Sequence, residues 1–422
     1  VKVLIIGSGA REHAIVTALL RDDSVTEVVC APGNAGIADD CAVAPVDVSD
    51  PAAITVLARE QAADLVVVGP EVPLVAGAAD ALADAGILCF GPREDAARLE
   101  GSKSFAKEVM AAAGVPTAGS RTCATPEDVA AALDEYGAPH VVKDDGLAAG
   151  KGVVVTNDRQ AALAHATACL EAGSTVVVEE FLDGPEVSLF CITDGTTVLP
   201  LQPAQDFKRV GEDDAGPNTG GMGAYTPLDW APSGLVDEVA RDIAQPTIDE
   251  MRRRGTPFAG VLYIGLALTS KGTRVVEFNA RFGDPETQSV LAMLTTPLGE
   301  LLAAAARGEL ASHPPLEWRD GASVTVVLAA SGYPASPRTG DPIVVDGGPV
   351  PGTAILHAGT RMDGVQVVSA GGRVLSVVAV GEDLAGARAA AYEQIAHIHL
   401  DGAHYRRDIA AKAERGEITL TG

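Results

Sequence analysis

The sequence predicts a multidomain α/β and α+β protein: an N-terminal doubly wound parallel sheet, a central domain with a glycine-flap subdomain, and a small C-terminal α+β domain. Three observations predict it. Apolar strands alternate with helical stretches over residues 1–92, the pattern of a parallel sheet with helices on both faces. A glycine-rich loop at 144–152 is flanked by two strands, so it closes a hairpin and does not open a helix. Beyond a polar stretch at 313–321, short strands dominate until one late helix. A chain of 422 residues accommodates two to four domains, here 1–100, 101–315 with its flap at about 118–188, and 322–422.

Residues 2–6 form the first strand, and Gly7-Ser8-Gly9-Ala10 turns the chain into a helix over 11–20. Strands follow at 25–30, 65–68 and 87–90, with helices at 52–61 and 74–85. The strands end in loops rich in Gly or Pro at 7–9, 31–36 and 69–71. Ligands of such sheets bind beyond these strand ends. Gly7-x-Gly9 invites a dinucleotide, but Glu12 stands at the third glycine position and no ribose-binding acid ends the second strand. Backbone amides at the helix start, with Arg11, suit a single phosphate group instead; a tight turn with a surface arginine is the other reading.

A helix at 102–113 connects the domains, and Thr125, Pro126 and Asp128 supply the cap, first-turn proline and acid of a helix to 136. Strands at 140–143 and 153–156 enclose Asp144-Asp145-Gly146-Leu147-Ala148-Ala149-Gly150-Lys151-Gly152. This is not a Walker loop: Gly146 and Gly150 are one residue too close, and Gly152 replaces the hydroxyl residue. The loop reads as a flap whose amides and Lys151, helped by Lys143, close over phosphates. An ordinary mobile hairpin is the alternative. The strand at 175–180 then leaves the core through Glu179-Glu180-Phe181-Leu182, exposing backbone groups suited to an adenine edge.

Residues 205–210 and 216–227 are so rich in Gly, Asn and Pro that no regular element is expected, and a substrate-binding loop is. A helix over 232–254 and paired strands at 260–269 and 273–278 follow. On the later of these strands, period two puts Glu277 and Asn279 on one face, away from Val276 and Phe278. Two hard oxygens side by side suit Mg²⁺, which takes one or two protein oxygens plus waters and phosphates. A strand whose solvent face carries Glu and Asn is the plain alternative. Gly283-Asp284-Pro285 breaks the strand, and helices follow at 286–294 and 298–307. The last domain has strands at 323–329, 353–356, 365–368 and 373–380 and a helix at 384–397. His397 and His399 show no third partner, so no metal is expected there.

A formal net charge of -26 argues against nucleic acid or anionic membranes as partners, and no apolar run is long enough to span a bilayer. Six scattered cysteines without a Cys-x-x-Cys pair, and a first strand with no leader before it, point to a cytoplasmic protein.

The glycine flap, the strand-to-linker acid and the late Glu-x-Asn together resemble the ATP-grasp ligases. Seven motifs resemble the phosphoribosylamine-glycine ligase, or glycinamide ribonucleotide synthetase, family more closely. They are Gly-x-Gly-x-Arg-Glu-His (7–13), Pro-Gly-Asn-Ala-Gly (32–36), Gly-Pro-Glu (69–71), Gly-Ser-Lys (101–103), Asp-Gly-Leu-Ala-Ala-Gly-Lys-Gly (145–152), Gly-Pro-Asn-Thr-Gly-Gly-Met-Gly-Ala-Tyr (216–225) and Glu-Phe-Asn-Ala-Arg-Phe-Gly-Asp-Pro-Glu (277–286). Ala10 and Asp144 stand where the family usually has Gly and Ala.

The resemblance implies a central ATP-grasp domain and ATP-dependent joining of glycine to 5-phosphoribosylamine through glycyl phosphate, in de novo purine biosynthesis. By it, Glu277 and Asn279 hold Mg²⁺ or Mn²⁺. Lys103, Lys143, Gly150, Lys151, Gly152, Glu179, Phe181, Leu182 and Glu186 bind the nucleotide. Gly9, Arg11, Asn34 and Glu71 face the ribose phosphate, and Asn218, Thr219 and Gly220 form the substrate loop. Asp206, Lys208, Arg281 and Asp284 act on glycine, acyl phosphate or amine. A monomer is expected. Another carboxylate substrate, or a nucleotide-binding protein without catalysis, are the competing readings.

Overall fold

A computed structural model describes residues 1–147 and 152–420. The expected N-terminal parallel sheet is present, in the order Ala42–Val43, Glu27–Pro32, Lys2–Gly7, Leu65–Val68, Cys89–Phe90. Its order reverses at Lys2–Gly7, which pairs in parallel with both Glu27–Pro32 and Leu65–Val68. Val3, Leu4, Ile5 and Ile6 are fully buried. Leu4 and Ile6 pack with Ile54 and Leu82 on one face, and Val3 and Ile5 pack with Ile15 and Leu19 on the other. Each such side chain contributes about 1.5–3 kcal/mol of burial, which is why the strand reads as a continuous apolar run.

The helix expected at 74–85 is two, Glu71–Val75 and Ala78–Asp84, because Gly77 between them takes φ +88°. A helix absent from the sequence reading, Glu94–Gly101, precedes Lys103–Ala113, whose Ser102 cap accepts from the Phe105 amide. The stretch at 232–254 is Leu235–Val239, a π-helical turn Ala240–Ala244 and Gln245–Arg253. The wide turn accommodates Pro246, which has no N–H to donate.

The flap subdomain is a four-stranded antiparallel sheet, Ser120–Cys123, Val176–Glu179, His140–Asp144, Val153–Thr156. Helices Pro126–Tyr136 and Arg159–Glu171 cover one face through Val129, Leu133, Ala162 and Ala166, and Thr125 caps the first as its sequence predicts. Gly150 and Lys151 lie outside the described residues. A central antiparallel sheet runs Val198–Pro200, Glu186–Asp194, Ala259–Thr269, Gly272–Asn279.

The segment expected to hold no regular element corrects the sequence reading. Gln205–Asp206 and Gly223–Thr226 are strands of the C-terminal sheet, in the order Gln205–Asp206, Gly223–Thr226, Ala322–Ala329, Arg373–Gly381, Thr353–His357. Between them Arg209–Gly211 and Ala215–Asn218 form a hairpin. Tertiary pairing overrides the local composition here: Tyr225 is fully buried and Gly223 pairs with Val326. Among the described residues no helix is long and apolar enough to cross a membrane.

Candidate active site

Strand register gathers the chemistry on one face of the central sheet. Ser188 pairs with Gly265 and Gly265 with Glu277; Phe190 pairs with Tyr263 and Tyr263 with Asn279. Side chains directly opposite share a face, so Glu186, Ser188, Tyr263, Glu277 and Asn279 point the same way. Val187, Leu189, Leu262 and Ile264 fill the core behind them. The last strand carries a bulge: Gly265 pairs with Glu277 but Leu266 with Val275, leaving Val276 as the extra residue. The expected alternation is therefore shifted, and Val275, not Val276, joins Phe278 in the core. The Val276 carbonyl accepts from Lys143 Nζ at 3.3 Å.

Neither Glu277 nor Asn279 makes a side-chain hydrogen bond or ion pair to another described residue, although Asn279 is buried. Among the described residues no three His, Cys, Asp or Glu side chains gather to hold a metal. One carboxylate and one amide oxygen are instead a donor set for a hard cation that completes its shell with phosphates and water. His397 and His399 do gain a partner the sequence does not reveal, Asp346, at 3.1 and 2.6 Å, as hydrogen bonds.

Cations face this pair from the flap side. Lys143 Nζ lies 2.8 Å from Glu179 Oε2, and Lys107 Nζ lies 3.1 Å from Glu179 Oε1. Burial raises the Glu179 carboxyl, but the two ammonium groups outweigh it and hold it below the usual range. Burial lowers the Lys143 ammonium, while Glu179 and Glu277 outweigh that and raise it. Lys103 Nζ donates to the Gly146 carbonyl at 3.0 Å; burial lowers its pKa, with Glu277 opposing. Both Glu179 oxygens are thus engaged inside the protein. Phe181 and Leu182, on the exposed connection to the central sheet, keep an accessible surface.

On the other side, Lys208 Nζ lies 2.6 Å from Glu186 and 3.1 Å from Asp206. Burial raises the Asp206 carboxyl, Lys208 opposes it, and the Glu286 and Glu186 charges add to it. Glu286 is buried and accepts from Tyr263 Oη at 2.6 Å and Ser188 Oγ at 3.3 Å. Thr219 donates to the Lys208 carbonyl through both its amide, at 2.7 Å, and its hydroxyl, at 2.9 Å. Asn218 pairs with Arg209 in the hairpin. Gly220 N–H donates to Tyr333 Oη at 3.0 Å.

The turn after Asn279 is tied to the N-terminal sheet. Arg281 reaches Glu71 at 3.2 Å and Glu100 at 3.0 Å, and its Nη1 donates to the Phe282 carbonyl at 3.3 Å. Asp284 accepts from Gln288 at 2.8 Å and lies 3.3 Å from Arg373; burial raises its carboxyl, but Arg373 and Arg11 hold it low.

At Gly9 and Arg11, where a phosphate is expected, the Glu12 carboxylate accepts from the Gly9 amide at 2.6 Å and from Arg11 Nε at 2.6 Å. A Cβ on Gly69 would collide with Glu12 Oε1, and one on Gly7 would fall 2.6 Å from its side chain. The carboxylate thus fills the gap between the two strand-end loops, where a dinucleotide pyrophosphate would lie. Asn34, expected at the ribose phosphate, donates to the Ser8 and His357 carbonyls at 2.9 and 2.8 Å and accepts from the Ile37 amide. It joins the N-terminal loops to the C-terminal sheet. Beside it, the His357 amide donates to His13 Nδ1 at 2.8 Å, so His13 carries its proton on Nε2 and donates it to Asp40 at 2.9 Å.

Models of the N domain, the ATP-grasp (A) domain and the C domain of phosphoribosylglycinamide synthetase match residues 1–100, 101–287 and 323–412. The chain belongs to the phosphoribosylglycinamide synthetase family. It is 64% identical to a phosphoribosylamine–glycine ligase of Streptomyces coelicolor, over 98% of this chain and 99% of that one. The Mycobacterium tuberculosis ligase of the same name is 59% identical, over 99% and 100%. The crystal structure of a Thermotoga maritima phosphoribosylamine–glycine ligase superposes with TM-score 0.85 at 33% identity, covering 97% of this chain and 100% of that one. A biotin carboxylase of Campylobacter jejuni, at TM-score 0.72, 16% identity and coverage of 98% and 95%, shares the fold. As an ATP-grasp ligase of this family the chain uses ATP and a divalent metal.

Sequence reasoning missed Lys107, Glu100, Tyr263, Tyr333 and Arg373. Lys107 lies one helical turn beyond Lys103, a spacing that could have flagged it. Arg373 gives no local signal, since the groups it touches lie 89 and 153 residues away.

Proposed function

We propose that this crevice joins glycine to 5-phosphoribosylamine at the expense of ATP, giving glycinamide ribonucleotide, ADP and phosphate in de novo purine biosynthesis. One observation carries the reading most directly: Glu277 and Asn279, without a side-chain hydrogen bond or ion pair among the described residues, stand opposite Lys103, Lys143 and Lys208, whose ammonium groups feel the Glu277 charge. Phosphoryl transfer needs this arrangement of positioned positive charge and open oxygen donors, and no protein nucleophile.

A glycine carboxylate oxygen attacks the γ-phosphorus, its bond to the β–γ bridging oxygen breaks, and ADP leaves. The amine nitrogen of phosphoribosylamine then attacks the acyl carbon, loses a proton, and phosphate leaves. Glu277 and Asn279 are the residues that would hold Mg²⁺ or Mn²⁺, which when bound supplies charge neutralisation at the β- and γ-phosphates. Lys103 and Lys143 neutralise phosphate oxygens, and Lys151 with Gly150 and Gly152 closes the flap to exclude water from the acyl phosphate. Phe181, Leu182 and Glu186 border the adenosine side. Lys208, kept protonated between Glu186 and Asp206, draws in the glycine carboxylate, and Asp206 faces its ammonium. Arg281, Glu71 and Asp284 wall the ribosylamine side, while Gly9, Arg11 and Asn34 shape the loops behind it. The working form is a cytoplasmic monomer, which sedimentation of the purified chain tests.

The deciding assay is ADP release with ATP, glycine and freshly made phosphoribosylamine, omitting each in turn. Full turnover requires all three. Turnover with another carboxylate in place of glycine at the same rate would overturn the reading.

A further inference from the structure

The substrate loop and the strand-ending turn meet under a single side chain of the C-terminal sheet. Gly221, at φ +116°, is pressed on the turn so closely that a Cβ there would collide with Pro285 Cδ. Arg373, the first residue of Arg373–Gly381, reaches both segments. Its Nη1 donates to the Gly220 carbonyl at 2.8 Å and the Asp284 carbonyl at 2.9 Å. The same nitrogen lies 3.5 Å from the Gly221 carbonyl and 3.3 Å from the Asp284 carboxylate. The guanidinium carbon is 3.0 Å from where a Gly220 Cβ would stand, so any side chain at Gly220 would strike it. Tyr333, also beyond residue 322, accepts the Gly220 N–H.

We infer that Arg373 is a positioning residue for the glycine site, through which the C-terminal sheet sets the geometry of the substrate loop. The path is short. Arg373 and Tyr333 fix Gly220; Thr219, next to it, donates twice to the Lys208 carbonyl; and Lys208 places its ammonium between Glu186 and Asp206. A side chain held by such a shell keeps its atom within the few tenths of an ångström that catalysis needs. Arg373 is far from Lys103, Lys143 and Lys107 in this chain of contacts, so its loss is felt by glycine and not by ATP.

The inference rests on the ligase reading above, and the experiment separates the two. Wild-type protein is first assayed with ATP, glycine and phosphoribosylamine; no glycine-dependent ADP release sinks the reading and the inference with it. Given wild-type turnover, Arg373→Met is expected to lower kcat/KM for glycine about 100-fold, the scale of a 1 Å misplacement, with the KM for ATP within about twofold. Arg373→Lys recovers part of the loss, because one ammonium can still serve two carbonyls. Tyr333→Phe removes only the Gly220 N–H acceptor and is expected to raise the KM for glycine severalfold, which keeps the test open if Arg373→Met does not fold. Wild-type glycine kinetics in the variants, or equal losses toward glycine and ATP, overturn the role of Arg373 and leave the ligase reading standing.

Discussion

Two strand ends in this molecule carry an acid beside glycine, and they behave in opposite ways. After Lys2–Gly7, the Glu12 carboxylate is consumed by its own surroundings, taking the Gly9 amide and the Arg11 guanidinium. On Gly272–Asn279, Glu277 and Asn279 make no side-chain hydrogen bond or ion pair to another described residue, although Lys143 and Lys208 nearby are paired. Gly7-x-Gly9 invites a nucleotide by its glycines, yet its acid and its arginine are already paired. The strand at Glu277, which a plain solvent-facing strand also fits, keeps its two oxygen donors free of the other described side chains. Oxygen donors that the fold leaves open toward a charged crevice are better evidence of a ligand than a motif whose donors are already used.

The contrast breaks most sharply on Glu277→Ala. Turnover is expected to fall at least about 1,000-fold, on the scale of losing a main transition-state charge partner, with the thermal midpoint nearly unchanged. ADP release and calorimetry together check this, and a fully active variant would put Glu277 in the same class as Glu12. The matching change, Glu12→Gln, acts in reverse. It removes the charge paired with the buried Arg11 guanidinium, which keeps the Phe282 carbonyl at 3.1 Å, and should cost about 1–3 kcal/mol of stability, read in urea titration, while ATP binding by the folded fraction stays near wild type.

Smaller effects sharpen the same distinction on the flap side. Lys107→Met leaves Glu179 with Lys143 alone, so Lys143 is held more tightly by its carboxylate and is less free to meet a phosphate. Affinity for a non-hydrolysable ATP analogue should fall about tenfold, or about 1.4 kcal/mol, and Lys107→Arg should restore most of it. Titration calorimetry showing no change would remove Lys107 from the site.

A separate effect, on stability with pH, belongs to the seam between the N-terminal loops and the C-terminal sheet. Burial pushes His357 down to about 4 and also lowers His13, so both are neutral in the fold and titrate near 6.5 once unfolded. Their stabilising contribution is complete above about 6.5 and is lost as pH falls toward 4, because the unfolded chain binds protons that the folded chain refuses. The loss is on the order of 2 kcal/mol after allowance for partial exposure. Melting curves from pH 7 to 4.5 test it, and His357→Phe, which cannot titrate, should flatten the lower part of the curve.

What the sequence reveals and what it hides divide along the range of the interactions. The N-terminal strands, the Thr125 cap and the shared face of Glu277 and Asn279 depend on neighbours a few residues away, and all are legible. The bulge at Val276 is set by pairing with Gly265 and Leu266, so the alternation rule misplaces Val275 and Val276. Gly223–Thr226, at the end of the substrate loop, is invisible as a strand because its partner Ala322–Ala329 lies about a hundred residues on. The ion pairs of Glu179 are not legible because Lys107 comes to it from a distant helix. Charge pairing of this kind leaves no periodicity to find.

The borrowed strand Gly223–Thr226 also orders events in time. As the chain leaves the ribosome, the N-terminal sheet can close once residue 90 is out, since its five strands are all early in sequence. Gly223–Thr226 must wait for Ala322–Ala329, and Gly220 waits longer, for Arg373. A polypeptide interrupted before that point has the strand of Glu277 and Asn279 but not the contacts that fix Gly220. The substrate loop thus takes its final form only when nearly the whole chain has been made.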